Sequence, residues 1–516
     1  MYPGTHAWTT PDKPAVVMAG SGRVVTYAEL DDGSRRLAVA LHDLGLRRGD
    51  VVAMLSDNAA ECFTLYWAAL RSGLYLTAIN HHLTAGEAAY IVDDCDARVL
   101  VASGRLAGLA AEVRAQAPRV EHAVAFGGAV DGFGSYDDLL ASAGDRQLGE
   151  QPRGSDMLYS SGTTGRPKGV KPPLLPIAVD EPGDPLTGLA GAAFGFGPDD
   201  VYLSPAPIYH AAPLRWCGVV HAHGGTVVVM ERFDAVEALA AIERHRVTIT
   251  QMVPTMFVRL LQLDEADRAS YDLGSLRLAI HAAAPCPVDV KQAMVEWWGP
   301  ILVEYYSSTE SAGLTLITTP EWLERRGSVG RSMFGPVHIC DESGAEVPAG
   351  EVGAVYFERE VRPFEYHKDP EKTRAAEHPE HPTWTTVGDL GRVDEDGYLY
   401  LTDRKSFMII SGGVNIYPQE VEDALTLHPA VYDVAVIGVP DPEMGEQVKA
   451  VVQLRAGVTG SDELAAELVG HVRERLASYK APRSVDFVDD LPRTPTGKLV
   501  KRTLVEHYRA LAGAGA

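Results

Sequence analysis

Tyr159-Ser160-Ser161-Gly162-Thr163-Thr164-Gly165-Arg166-Pro167-Lys168-Gly169-Val170 lies within a chain of 516 residues, and its reading decides the rest. The stretch is built of glycine, small hydroxyl residues and two cations. A loop of this kind turns several backbone N–H groups and hydroxyls toward one anion. Its glycines permit the close approach and the positive φ angles that a phosphate cradle needs. Arg166 and Lys168 add positive charge at the rim. The spacing is not that of a Walker A loop: Gly162 and Gly165 are three apart, and Lys168 follows Pro167. A solvated Ser/Thr/Gly turn is the plain alternative. The unbroken block of hydroxyls, glycines and cations argues against it.

Four further segments stand out downstream. They are Tyr305-Tyr306-Ser307-Ser308-Thr309-Glu310, then Trp384-Thr385-Thr386-Val387-Gly388-Asp389-Leu390-Gly391 with a later Asp403-Arg404. Ser411-Gly412-Gly413-Val414-Asn415-Ile416-Tyr417-Pro418 follows, and last comes Pro492-Arg493-Thr494-Pro495-Thr496-Gly497-Lys498. With the central loop, and in this order, they resemble the signatures of the adenylate-forming superfamily. That superfamily holds acyl-CoA synthetases, the adenylation domains of peptide synthetases and firefly luciferase. The resemblance spans nearly the whole chain and is nearest to the bacterial acyl-CoA synthetases.

The resemblance implies an enzyme using ATP, Mg²⁺ and coenzyme A. Ser160, Ser161, Gly162, Thr163, Thr164, Gly165 and Lys168 would cradle the ATP phosphates. Thr163, Glu310 and Lys498 would be catalytic. Tyr306 would stack on adenine, Thr309 would contact phosphate and Glu310 would hold the metal. Elementary chemistry agrees: an aromatic face suits a base, and a carboxylate sits beside phosphate mainly when a hard cation lies between. Asp389 would accept from both ribose hydroxyls, aided by Arg404, and Asn415 would join the AMP site. Ser411, Gly412 and Gly413 would line the pantetheine tunnel. Lys498 would reach between substrate carboxylate and α-phosphate, where a mobile cation offsets the repulsion of two anions. Two departures from the pattern are Ser307, where glycine is usual, and Ser406, where the pivot is usually Asp or Lys.

The organisation expected from residue pattern matches. Thr26 with Glu29 three residues on predicts a helix N-cap. Strands at Val51–Leu55, Val99–Ala102, Gly225–Met230 and Thr248–Val253 alternate with helices at Ala59–Ser72 and Val236–His245, which predicts a largely parallel sheet covered on both faces. The texture changes near residue 400 toward a small α+β unit. The expected fold is therefore α/β: a large N-terminal domain of several subdomains (1–402), a hinge (403–406) and a small mobile C-terminal domain (407–516).

Composition excludes some partners. A formal charge of −24 argues against nucleic acid and anionic membrane surfaces. The five cysteines are scattered without a C-x-x-C, which suits a reducing cytoplasm and offers no zinc framework. No signal pattern and no transmembrane run is present, so a cytoplasmic protein is expected; a homodimer is compatible with the sequence. His378-Pro379-Glu380-His381-Pro382 carries ligand residue types, but its prolines preclude a regular helical H-x-x-x-H face.

For the acyl pocket, the resemblance points to Tyr209 and His210 as a gate and to His281, Ala282, Ala283 and Ala284 as a wall, with Ala282 in the place of a glycine. Either histidine is equally readable as a core residue. No aspartate occurs between Tyr202 and Met230 to hold a substrate amine. A roomy apolar pocket favours an aliphatic, aryl or polycyclic carboxylic acid. Expectation is thus a carboxylate–CoA ligase. The rivals are a stand-alone adenylation enzyme that loads a carrier protein, disfavoured because the chain ends at Gly513-Ala514-Gly515-Ala516 without a carrier domain, and a non-catalytic nucleotide-binding relative.

Overall fold

The computed structural model describes residues 1–160, 167–404, 407–411, 414–441, 443–493 and 499–514. Two parallel sheets dominate the large domain. One has six strands, with Val51–Leu55 and Val99–Ser103 side by side near its centre. The other has nine, and its core is the parallel run Leu302–Ser307, Leu278–His281, Ile249–Met252, Val201–Ser204, Thr226–Val229 and Pro14–Met18. The central strands read as continuous β-branched and apolar runs because both faces are covered. The expectation of a parallel sheet clad by helices is met, with two such sheets rather than one. Helix Tyr27–Asp43 starts as expected: Thr26 Oγ1 accepts from Glu29 N, and Glu29 Oε2 accepts from Thr26 N.

An antiparallel sheet containing Gly353–Glu358, Asp389–Val393 and Leu399–Arg404 completes the large domain. Asp403 and Arg404 still pair with Leu390 and Asp389, so the first half of the expected hinge lies in a strand; Lys405 and Ser406 lie outside the described residues. The small domain holds a long hairpin, Val431–Asp441 with Gly445–Leu454, packed under helices Pro418–Thr426 and Asp462–Arg473 around a core of its own. It meets the large domain where Gln262 Nε2 donates to Tyr432 O at 3.3 Å. Among the described residues no helix is long and apolar enough to cross a membrane.

Where the two parallel sheets meet, buried polar side chains do the joining. Asn58, in the turn after Val51–Leu55, donates to Ala206 O (3.2 Å) and Met230 O (2.8 Å) and accepts from Ile208 N (2.9 Å). His221 is fully enclosed. Its Nδ1 accepts from Trp67 Nε1 at 3.2 Å, so its Nε2–H donates to Ala15 O at 3.1 Å, and the ring is neutral. Burial pushes its pKa from 6.5 down to about 4.

That shift makes stability pH-dependent. The folded-state pKa lies below the unfolded value, so the unfolded chain takes up the proton first as pH falls. The stability present above pH 6.5 is lost between pH 6.5 and 4, on the order of 3 kcal/mol for a shift of this size. We expect urea midpoints of the wild type to fall across that window, and His221→Gln to flatten the fall by close to one proton. An unchanged slope in the variant would show that His221 is not buried neutral.

Candidate active site

A cleft of about 1300 Å³ opens between the large domain and the small one. The loop that opened the sequence reading is framed by an antiparallel pair in which Ser160 stands opposite Lys168 and Tyr159 opposite Gly169. Ser160 and Lys168 both line the cleft, while Ser161, Gly162, Thr163, Thr164, Gly165 and Arg166 lie outside the described residues. Lys168 Nζ lies 5.0 Å from the centre of the Tyr366 ring. Burial lowers its pKa, with Lys372 adding to the effect and Asp369 and Glu310 opposing it.

Tyr306, Thr309, Glu310 and Asp389 line the same cleft. Tyr306 is the penultimate residue of the strand Leu302–Ser307, and its Oη donates to Asp389 Oδ2 at 2.5 Å. Glu310 is only 8% exposed, and its Oε1 accepts from Tyr366 Oη at 2.9 Å. The turn beyond it admits no bulk: a Cβ on Gly313 would lie 1.9 Å from the Phe357 ring. Asp389 stands opposite Arg404 in register. The wall thus presents an aromatic ring, two buried carboxylates and a lysine side by side. The Glu310 carboxylate, next to a lysine and the phosphate-loop frame, is the donor chemistry a Mg²⁺ ion takes between itself and phosphate.

Opposite lies a more apolar lobe. Helix Ala211–Ala222 contributes Ala211, Ala212, Trp216 and Val219, and the turn before it contributes Tyr209 and His210, whose rings are 4.5 Å apart. Ala282, Ala283 and Ala284 form part of the facing wall. His281 does not. As neighbours on a strand point to opposite faces, it turns away into the core, fully buried and edge-on to Phe257. Burial and the charge of Lys291 drive its pKa well below 6.5.

Among the described residues, three carboxylates that tertiary structure brings to this lobe are engaged. Asp156 pairs with Arg215, Asp184 accepts from Thr187 and lies 3.5 Å from Arg153, and Glu304 accepts from Lys291 at 2.6 Å. Sequence reasoning missed Arg215 beside Asp156 and Tyr366 beside Glu310 because those partners come from distant elements. In the small domain, Ser411 is buried and Asn415 is exposed on a short hairpin; neither lines the cleft. Gly412, Gly413 and Lys498 lie outside the described residues, but Arg493 and Leu499, which flank the segment holding Lys498, do line it.

Two family models match the chain: AMP-binding enzyme over residues 5–360 and AMP-binding enzyme C-terminal domain over residues 420–498. The chain is 33% identical to the long-chain-fatty-acid–CoA ligase FadD13 of Mycobacterium tuberculosis, covering 98% of this chain and 97% of that one. It is 34% identical to the 3-[(3aS,4S,7aS)-7a-methyl-1,5-dioxo-octahydro-1H-inden-4-yl]propanoyl:CoA ligase of Rhodococcus jostii, with 94% of each covered. Among solved structures, the anthranilate CoA ligase AuaEII in complex with anthranoyl-AMP superposes with a TM-score of 0.84 at 28% identity, covering 99% of this chain and 97% of that one. The chain belongs to the AMP-binding enzyme family, the class of AMP-forming acid–thiol ligases to which these relatives belong. Its α/β fold, with a large N-terminal and a smaller C-terminal domain, is that of the family.

One wall residue has an unusual backbone. Ala283, next to the Ala282 that takes the place of a glycine, is left-handed, with φ +78°. Alanine there carries a cost of about 1–2 kcal/mol, from Cβ against the following carbonyl. We expect Ala283→Gly to raise stability by about 0.5–1 kcal/mol after the extra freedom of the unfolded glycine is subtracted. A urea titration checks this, and a destabilised variant would mean that the strain is absent.

Proposed function

We propose that this protein joins a hydrophobic carboxylic acid to coenzyme A through an acyl-adenylate. The reading rests on one juxtaposition: Tyr306–Asp389 and Glu310–Tyr366–Lys168 on one wall of a cleft whose other lobe is apolar and has its carboxylates engaged. The acid enters between helix Ala211–Ala222 and the Ala282–Ala284 wall. A lobe of this size suits a fatty, aryl or polycyclic body. Adenine stacks on Tyr306, and Asp389, oriented by the Tyr306 hydroxyl, accepts from the ribose.

Glu310 and the phosphate oxygens would hold Mg²⁺, which would spread the charge of the leaving pyrophosphate. Ser160, Lys168 and the loop between them hold the β- and γ-phosphates. One oxygen of the substrate carboxylate attacks the α-phosphorus, and pyrophosphate leaves. Lys498 offsets the repulsion of the two anions. The small domain then rotates about residues 403–406, Lys498 withdraws, and the hairpin with Ser411, Gly412 and Gly413 swings toward the site. The CoA sulfur, as thiolate, adds to the acyl carbon and AMP departs. The position of Arg493 and Leu499 at the cleft, with Ser411 and Asn415 away from it, supports this structure as the arrangement for the first step. Five free cysteines, four of them buried, support a cytoplasmic setting.

Pyrophosphate release from a panel of carboxylic acids, with and without CoA, tests the reading. Turnover that requires a carrier protein and ignores CoA would replace it with the carrier-loading alternative. No pyrophosphate from any acid would leave a nucleotide-binding relative without catalysis. Lys498→Ala should cut adenylation by about 10²–10³-fold, the scale of one preorganised electrostatic contact, and spare thioester formation from supplied acyl-adenylate. Equal loss in both steps would refute its assigned role. Glu310→Gln should raise the Mg²⁺ needed for half-maximal rate and recover in part at high Mg²⁺, because a neutral amide is a poorer ligand for a hard cation. An unshifted Mg²⁺ curve would remove Glu310 from the metal.

A further inference from the structure

A buried ion pair links the acyl lobe to both nucleotide loops. Asp156 stands in the short strand Ser155–Asp156, four residues before Ser160. Arg215 stands on helix Ala211–Ala222, the wall of the acyl lobe. Its Nε lies 3.1 Å from both Asp156 oxygens, and its Nη2 donates to Oδ2 at 2.7 Å. The two side chains are 20% and 7% exposed. A pair desolvated to this degree is poor support for stability, since apolar residues of similar volume often do as well. Its third contact leads elsewhere. Nη1 donates at 3.2 Å to the hydroxyl of Ser311, the residue immediately after Glu310. Ser311 is held in left-handed backbone, φ +52°, and its N–H closes a turn onto Ser308 O at 3.0 Å. Strain in a non-glycine residue persists only where its surroundings over-determine it. Here the fork of Arg215 and that turn supply the restraint.

We propose that Arg215 is a positioning residue: anchored by Asp156, it fixes Ser311 and so aims the Glu310 carboxylate at the metal and phosphates. The inference rests on the ligase reading. A planar guanidinium suits the task because it grips a carboxylate with two N–H groups and keeps others for a third partner; lysine has no such fork. As the same helix walls the acyl lobe with Ala211, Ala212 and Trp216, the acid and the metal turn share one rigid support.

The test measures kcat, the KM of the acid and the Mg²⁺ giving half-maximal rate, using the full chain. Ser311→Ala removes only the third contact. We expect kcat to fall about tenfold and the Mg²⁺ requirement to rise about fivefold, with the KM of the acid within twofold of wild type. These are sizes for one lost charge-assisted hydrogen bond acting through an intermediary. The paired variant Asp156→Leu with Arg215→Met removes the ion pair without leaving a buried charge. It should melt near the wild-type temperature yet show the same rise in Mg²⁺ requirement. A merely structural pair predicts otherwise: Arg215→Met alone unstable, and the paired variant restored in both stability and Mg²⁺ response. Wild-type Mg²⁺ behaviour in either Ser311→Ala or the folded paired variant overturns the proposal. A wild type that forms no acyl-adenylate from any acid even with Mg²⁺ present overturns the ligase reading itself.

Discussion

The cleft depends on the hydrogen bond from Tyr306 to Asp389. Tyr306 lies at the end of a strand of the nine-stranded sheet, and Asp389 begins a strand of the antiparallel sheet. The bond joins the two where a base and a ribose would lie side by side. A carboxylate as enclosed as Asp389 needs hydrogen-bond donors. The tyrosine supplies one. Glu310 is treated alike by Tyr366. Both carboxylates are thus oriented by phenols, which donate without cancelling charge, whereas Asp156 and Glu304 deeper in the wall meet cations.

Charge is balanced locally in the cleft of a protein whose formal charge is −24. Asp156 and Glu304 are neutralised locally by Arg215 and Lys291. Lys168 brings positive charge to the cleft. Breaking a buried pair such as Lys291–Glu304 on one side would cost about 3–5 kcal/mol, because the survivor is left charged and unpartnered. These pairs therefore constrain which substitutions the acyl wall tolerates.

Backbone strain is also present in the cleft walls. Of the described non-glycine residues with positive φ, Ala283 and Ser311 line the cleft from its two walls. Each bends the chain where a strand has ended and a ligand is to be met. The neighbouring sheets hold both ends of each bend, which is how such conformations survive.

Local chemistry was legible in the sequence. The capping box at Thr26 and the apolar strands follow from spacing over a few residues. The roles assigned to Tyr306, Glu310 and Asp389 came from short motifs, and the structure brings those residues to one cleft. Other features depended on chain folding over long separations: Tyr366 reaches Glu310 across 56 positions, and Arg215 reaches Asp156 across 59. Nothing local marks such pairs. His281 was misplaced on the pocket wall because membership of a motif says nothing about which strand face a side chain takes, and the alternation of the strand turned it into the core. Sequence alone determined the kinds of groups available and their order along the chain. Tertiary structure decided which of them share a wall, because burial forces every charge there to find a partner and only the packed sheets specify who that partner is.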